Sequence, residues 1–311
     1  MNRILVTGAG GFVGGHLLPR LRAAFPEAEL ATPGLDSAAL DIRDTDAVTE
    51  LVRDTRPDAC IHLAAIAVVS AARLDPNLAW QVNLHGTLGL AATILLHAPD
   101  CLLLYPSSAD CYGQSFRTAR PLDESAPLAP MNAYGATKAA ADLALGAMAC
   151  DGLRVIRARP FNHTGAGQTP DLVVPAFARQ VARIAAGLQP AVMHVGALDP
   201  LRDFLDVRDV CDAYIACLAR AETVASGTIF NIASGIPRRI GDVLAALLAL
   251  AGITPEIEVN SNLLRKADIP IASGNSGAAR ALLGWRPAIA WEDTLRDVLA
   301  DWKARVLTEP A

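Results

Sequence analysis

The sequence predicts a doubly wound α/β fold: a parallel sheet with helices on both faces, and a smaller α/β part, largely C-terminal, interleaved with it. Three observations carry that expectation. Arg3, Ile4, Leu5, Val6 and Thr7 form a short strand-like run that breaks into glycines at 8, 11 and 14, then resumes at helical spacing through Phe12, Val13, Leu17, Leu18 and Leu21. From there to residue 158 short strand-like runs alternate with longer helical ones, which requires crossovers and hence a parallel sheet covered on both sides. A chain of 311 residues, 52% hydrophobic and 19% charged, can also bury the large core such a fold needs.

The first unit reads strand, glycine turn, helix. Glycines let backbone come close to a pyrophosphate, and a helix N-terminus offers free N–H groups and partial positive charge, so the geometry suits a dinucleotide. Pro19 removes a backbone donor inside that helix and is expected to kink or shorten it. Next come a strand at 30–32, a helix at 44–55 capped by Asp44, a strand at 59–63 and a long helix at 77–97. The leucine run at 101–105 is another strand, and a Pro- and Ser-rich loop leads to a helix at 133–150 and a strand at 153–158.

The second half changes character. Residues 160–200 read as loop with one helix at 172–187, and a helix at 206–220 feeds a strand at 228–232 that returns to the main sheet. Helices follow near 240–251, 277–283 and 291–304, with a strand around 256–259. With no repeat or low-complexity linker, two interleaved lobes are expected: 1–162 with 203–235, and 163–202 with 236–311. A ligand belongs at the strand C-termini, in the crevice between them.

Composition narrows the partners. A net charge of −5, a pI near 5.7 and the lack of any basic run argue against nucleic acid and anionic membrane. No apolar run reaches the roughly 18 residues that span a bilayer. Cys60, Cys101, Cys111, Cys150, Cys211 and Cys217 show neither CxxC nor metal-ligand spacing, and the chain starts with a strand rather than a signal sequence. The expectation is a reduced, cytoplasmic enzyme without a metal.

Two stretches carry chemistry: Ser107-Ser108-Ala109-Asp110 after one strand, and Tyr134-Gly135-Ala136-Thr137-Lys138 at a helix start. Positions i and i+4 share a helix face, so Tyr134 and Lys138 can point into one site. With four tyrosines and three lysines in the chain, chance gives such a pair only about four times in a hundred, so a mere surface lysine is the weaker reading. A phenol titrates near 10. An ammonium about 4 to 5 Å away at an effective dielectric near 20 contributes about 3 kcal/mol, enough to lower that value by about two units and make Tyr134 a general acid or base. Ser108 can hydrogen-bond the same substrate oxygen, although a serine pair at a strand end is also an ordinary turn or cap.

These residues resemble the extended short-chain dehydrogenase/reductases that act on nucleotide-sugars. The resemblance covers nearly the whole chain through the glycine turn, Asp41-Ile42, His62-Leu63-Ala64-Ala65, Asn83, Ser108, Tyr134 with Lys138, Arg159-Pro160-Phe161-Asn162, Arg202-Asp203-Phe204 and Arg265-Lys266-Ala267-Asp268. The run from Arg159 to Gln168, with Val173-Val174-Pro175, is most similar to GDP-4-keto-6-deoxy-mannose reductases and the related GDP-mannose dehydratases. The resemblance implies a Rossmann domain and a nucleotide-sugar domain. It implies that Gly8, Gly11, Phe12, Val13 and Gly14 cradle the cofactor, that Asp41 and Ile42 flank its adenine, and that Leu63, Ala64 and Ala65 pass under it. Lys138 would also bond the nicotinamide ribose. Ser108 and Asp110 would face the sugar, Asn162, Val173 and Arg179 would line the nucleotide-sugar site, and Arg202 and Arg265 would grip its diphosphate with guanidinium forks. Arg202 could instead pair with Asp203 or Asp206, and His163 reads as a structural hydrogen-bonding residue.

The implied reaction is NAD(P)H-dependent reduction of the 4-keto group of a nucleotide-linked 4-keto-6-deoxy sugar. The implied conversion is GDP-4-keto-6-deoxy-D-mannose to GDP-D-rhamnose, or to its C4 epimer GDP-6-deoxy-D-talose. A nucleotide-sugar 4-epimerase or 4,6-dehydratase is the alternative. Dehydratases of this family place an acid, usually Glu, at the position of Asp110 and Asp or Ser at that of Ala109; Ala109 offers no polar group and Asp110 reaches less far. The second strand ends in Ala31-Thr32-Pro33-Gly34 with no acidic residue before Asp36, so NADP(H) is expected to be favoured and NAD(H) possible. Helices 77–97 and 133–150 carry more apolar positions than one buried face requires. The resembled family pairs these helices across a two-fold axis, which implies a homodimer.

Overall fold

The computed structural model describes residues 1–35, 39–264 and 269–308. Its strands are β1 (Arg3–Thr7), β2 (Glu29–Ala31), β3 (Ala59–His62), β4 (Leu102–Pro106), β5 (Val155–Pro160), β6 (Asn162–Thr164), β7 (Val192–Val195), β8 (Leu201–Asp206), β9 (Ile229–Ile232), β10 (Pro237–Arg239), β11 (Glu256–Val259) and β12 (Ile271–Ala272). The helices are α1 (Phe12–Ala24), α2 (Thr45–Thr55), α3 (Val69–Leu74), α4 (Pro76–Trp80), α5 (Thr87–His97), α6 (Ala133–Cys150), α7 (Val173–Ala185), α8 (Val207–Ala219), α9 (Ile240–Ala251) and α10 (Trp291–Val306).

Six strands in the order β2-β1-β3-β4-β5-β9 form one sheet in which every pairing is parallel. Strands β3 and β4 are buried along their whole length, as central parallel strands must be when helices cover both faces. On one face Leu17 and Leu21 of α1 meet Val210 and Tyr214 of α8; on the other Val48 of α2, Ile94 of α5 and Leu145 of α6 close a second core. The strand order reverses at β1, which has β2 on one side and β3 on the other, so a crevice opens at the C-terminal ends of β1 and β3. A separate core under α7, α9 and α10 gathers Val181, Leu247, Val298 and Trp302. Strand β8 pairs there with β6, β10 and β12, and β7 pairs with β11.

Several expectations hold closely. The helix at 133–150 has the expected bounds, capped by Asn132, whose side chain accepts from the Gly135 N–H at 2.7 Å. Asp44 caps α2 through the N–H groups of Asp46 and Ala47. The strand at 228–232 does return to the main sheet, beside β5. Others need correction. Pro19 does not shorten α1, which runs on to Ala24; Pro19 and Gly15, whose carbonyl loses its donor, are both exposed, where water can replace the bond. The helix at 77–97 is α4 and α5 joined by a π-helical turn at Gln81–Gly86. That wider turn carries Asn83, whose side chain bonds both backbone groups of Ile66 and the Thr137 hydroxyl. Residues 160–200 hold two short strands as well as a helix, because β6 and β7 are too brief to leave a periodic signal.

One buried interaction fixes α6 to the sheet. Asp142, fully buried, receives two hydrogen bonds at 2.9 Å from the Arg159 guanidinium and one at 3.1 Å from Arg157, both on β5. Arg159 continues to the Tyr112 hydroxyl at 3.0 Å, which donates to Asn231 of β9 at 2.7 Å. Removing one charge from such a group strands the others in a dry interior. Asp142→Asn is therefore expected to lower unfolding stability by about 3 kcal/mol, read as a shifted urea midpoint; an unchanged midpoint would mean the arginines carry no such dependence.

Candidate active site

The turn after β1 is built from glycines for steric reasons. Gly8 has φ +69°, and a Cβ there would fall 2.5 Å from the Ala64 nitrogen, while one on Gly14 would fall 2.1 Å from the Ala9 carbonyl oxygen. Gly11 is the N-cap of α1 and offers no side-chain cap, and the first turn holds no acidic residue, leaving the helix N–H groups and positive end open. Gly8, Gly11 and Gly14 line a cavity of about 330 Å³. A backbone cradle with an uncapped helix end on such a cavity fits the pyrophosphate of a dinucleotide.

The same cavity gathers the chemistry-bearing residues. Phe12 and Val13 line it from α1, Leu63 and Ala65 from the segment after β3, Ser108 and Asp110 from the loop after β4, and Tyr134 and Lys138 from the first turns of α6. Ala64 packs behind Gly8 instead of lining the space. Ser108 is the N-cap of a short 3-10 turn and accepts from the Asp110 N–H at 3.1 Å. Its side chain also hydrogen-bonds Tyr134. Asn132 donates to Asp110 at 3.4 Å, so the carboxylate is tethered to the cap of the helix that carries Tyr134.

The electrostatics differ from the simple pairing of Tyr134 with Lys138. Burial pushes the Tyr134 phenol above its ordinary value, Asp110 adds to this, and the Ser108 hydrogen bond opposes it. The lowering expected from Lys138 does not set the direction here; the loss of hydration, which penalises the phenolate, does. Burial pulls Lys138 down to about 8, against the opposing influence of Cys111 and Asp142. His62 is pulled down to about 3 by burial and by Lys138 and stays neutral. Its ring bonds Thr7 at 2.7 Å and Thr87 at 3.0 Å, tying β3 to the end of β1 and to the start of α5.

A second cavity, of about 340 Å³, adjoins the first and shares Asn162, His163, Gln168 and Leu172 with it. Val173, Phe177 and Gln180 line it from α7 and Arg202 from β8. Arg202 donates to the carbonyls of Leu201 and Ile269. Asp203 is spent on the N–H groups of Ser234, Gly235 and Gly274 and the Ser234 hydroxyl. Asp206 holds Arg208 and Thr294. His163 has the structural part expected of it, bonding the Phe161 carbonyl at 3.0 Å and stacking with Phe12.

Some expected site residues lie elsewhere. Arg179 is outside both cavities, its guanidinium 6.0 Å from the Trp302 ring; the helical period turns Phe177 and Gln180 to the cavity and 179 to α10. Asp41 and Ile42 sit in a separate depression with Gln81, His85 and Gly86. Asp41 grips Arg43, the arginine after β2, at 2.9 and 2.5 Å, and these hydrogen bonds hold its carboxyl down at about 2. Arg265 and Asp36 fall outside the described residues. Sequence reading missed Phe177 and Gln180, which the spacing from Val173 along α7 would have found.

Residues 4–233 match the sequence pattern of the NAD dependent epimerase/dehydratase family. The chain belongs to this family. Within it, the GDP-6-deoxy-D-mannose reductase of Pseudomonas aeruginosa is 38% identical over 309 residues, 99% of each chain. The GDP-6-deoxy-D-talose 4-dehydrogenase of Aggregatibacter actinomycetemcomitans is 29% identical over 91% of each. The solved structure of RMD from Pseudomonas aeruginosa complexed with NADPH is similar at a TM-score of 0.87 and 35% identity, across 98% of this chain and 100% of that one.

Proposed function

We propose that this protein reduces the 4-keto group of GDP-4-keto-6-deoxy-D-mannose with NADPH, giving GDP-D-rhamnose. The observation that carries the reading is the convergence of Ser108, Tyr134 and Lys138 on one cavity with the glycine cradle, next to a second cavity lined by Asn162, Val173 and Arg202. The similarity to a GDP-6-deoxy-D-mannose reductase over nearly the full chain points to the same sugar. The talose dehydrogenase relative keeps the C4 epimer, GDP-6-deoxy-D-talose, as the second product reading.

The residues act as follows. Gly8, Gly11 and Gly14 would hold the pyrophosphate of the dinucleotide, and Arg202 would hold the diphosphate of the sugar nucleotide, a part the resemblance also gives to Arg265, which lies outside the described residues. When bound, the nicotinamide supplies the hydride. Tyr134, kept protonated by its buried surroundings, gives its proton to the developing alkoxide while Ser108 hydrogen-bonds the same oxygen. Lys138 places positive charge beside the phenol as it loses that proton. Asp110 is held by Asn132, and Ala109 brings no polar group, so elimination of water lacks a partner that ketone reduction does not need. Ala31-Thr32-Pro33-Gly34 sets no carboxylate against a 2′-phosphate, which supports NADPH ahead of NADH, as does the relative bound to NADPH.

We read 1–162 with 203–235 as the cofactor domain, and 163–202 with 236–311 as the nucleotide-sugar domain. Among the described residues no helix is long and apolar enough to cross a membrane. With free cysteines throughout, the cytoplasm is the compartment proposed.

Mixing the protein with GDP-4-keto-6-deoxy-D-mannose and NADPH is expected to oxidise the cofactor, while GDP-mannose with NADP⁺ loses no water by mass spectrometry. Tyr134→Phe should cut kcat about 10² to 10⁴-fold and leave nucleotide binding intact. Normal turnover by that variant, or dehydration as fast as reduction, would sink the assignment.

A homodimer is proposed on a different observation. Leu74 of α3, Leu96 of α5 and Leu143 of α6 are 89%, 74% and 60% exposed, and α6 packs on α3, α4 and α5. Light scattering should give twice the 32.6 kDa chain mass, and Leu143→Glu should halve it; a wild-type monomer at every concentration would contradict the dimer.

A further inference from the structure

Beneath Lys138 lies a side chain that neither lines the cavity nor joins the proton transfer. Tyr105, near the end of β4, is completely buried, and the Lys138 Nζ sits 4.4 Å from the centre of its ring. The neutral His62 ring stacks on it at 6.3 Å. Its hydroxyl is buried without a hydrogen-bond partner among the described residues, so what Tyr105 offers its surroundings is the electron-rich face of the ring.

The groups around the Lys138 ammonium leave that face a specific part to play. From β3 comes His62, kept neutral by burial and by Lys138 itself. From the loop after β4 come the carboxylate of Asp110, tied to Asn132, and the Cys111 thiol, which burial pushes up to about 11 and keeps uncharged. On α6 itself stand Tyr134, a protonated phenol, and Asp142, whose charge is shared by two arginines. An ammonium stripped of water in such a place is stabilised by an aromatic face, and the attraction grows with desolvation. We propose that Tyr105 is a positioning residue whose ring face holds the Lys138 ammonium charged and aimed into the cavity. The proposal rests on Lys138 being the working cation of the reductase site.

The chain has three lysines, at 138, 266 and 303, so lysine labelled with ¹³C at Cε gives a spectrum in which Lys138→Arg assigns the signal. The Lys138 titration is followed in the wild type, in Tyr105→Phe, and in proteins with mono- to tetrafluorinated phenylalanine at 105. Fluorination drains the ring face of charge and nearly preserves its shape, so these proteins fold even if Tyr105→Leu does not. A weaker face destabilises the ammonium, and the proton leaves at lower pH. Tyr105→Phe is expected to titrate within about 0.3 units of the wild type, and the fluorinated series to fall stepwise by about one unit in total. The alkaline limb of kcat/KM should move down by the same amount. A Lys138 pKa that stays constant across the series would overturn the proposal. A pKa that falls while the limb stays fixed would uphold the ring contact and remove Lys138 from the proposed mechanism, so the two failures are distinct.

Discussion

The site depends on how α6 is held against the sheet. Tyr134, Lys138 and Asp142 are spaced four apart and share one face of that helix, so the carboxylate clamped by Arg157 and Arg159 lies on the same stripe as the two chemistry-bearing residues. A buried ion pair is a poor source of net stability, since desolvation costs about what the attraction returns. It is a good source of orientation, because a guanidinium fork donates to a carboxylate in few geometries. Arg159 spans from Asp142 to Tyr112, and Tyr112 to Asn231, so the face of α6 that bears Tyr134 and Lys138 is fixed relative to β5 and β9 together.

The other constraint is backbone proximity. Gly8 against Ala64 and Gly14 against Ala9 leave no room for a Cβ, and this is why the turn after β1 could be recognised in the sequence as a cradle. Features set by such local sterics and by helix periodicity were legible: the glycine turn, the bounds of α6, the Asp44 cap and the return of β9. Features set by tertiary contact were not. β6 and β7 have three and four residues and owe their existence to their partners. The family resemblance implies a place for Arg179 in the site, whereas the helical period turns it to Trp302. The protonation of Tyr134 differs from the sequence expectation for a related reason: sequence spacing gives the distance between two charges, but the burial that dominates their pKa values is a property of the whole site.

A protonated phenol, a serine hydroxyl bonded to it and a lysine poised near 8 make a set suited to giving a proton to a carbonyl oxygen. The adjoining cavity is lined by a guanidinium from β8 and by the apolar face of α7, which suits a diphosphate joined to a ring. Family membership fixes the fold and the class of cofactor, and in the proposed function the Ala109–Asp110 pair would separate reduction from elimination, because Ala109 brings no polar group to the cavity.

The central claim is that hydride passes directly to C4 of the sugar and remains there, as it does in a reductase and not in an epimerase. NADPH carrying deuterium at the transferred position tests this most directly. Reduction of GDP-4-keto-6-deoxy-D-mannose should yield a product with one deuterium, located at C4 by NMR, for each NADPH consumed. Product without deuterium at C4, or sugar interconversion without net loss of NADPH, would contradict the account.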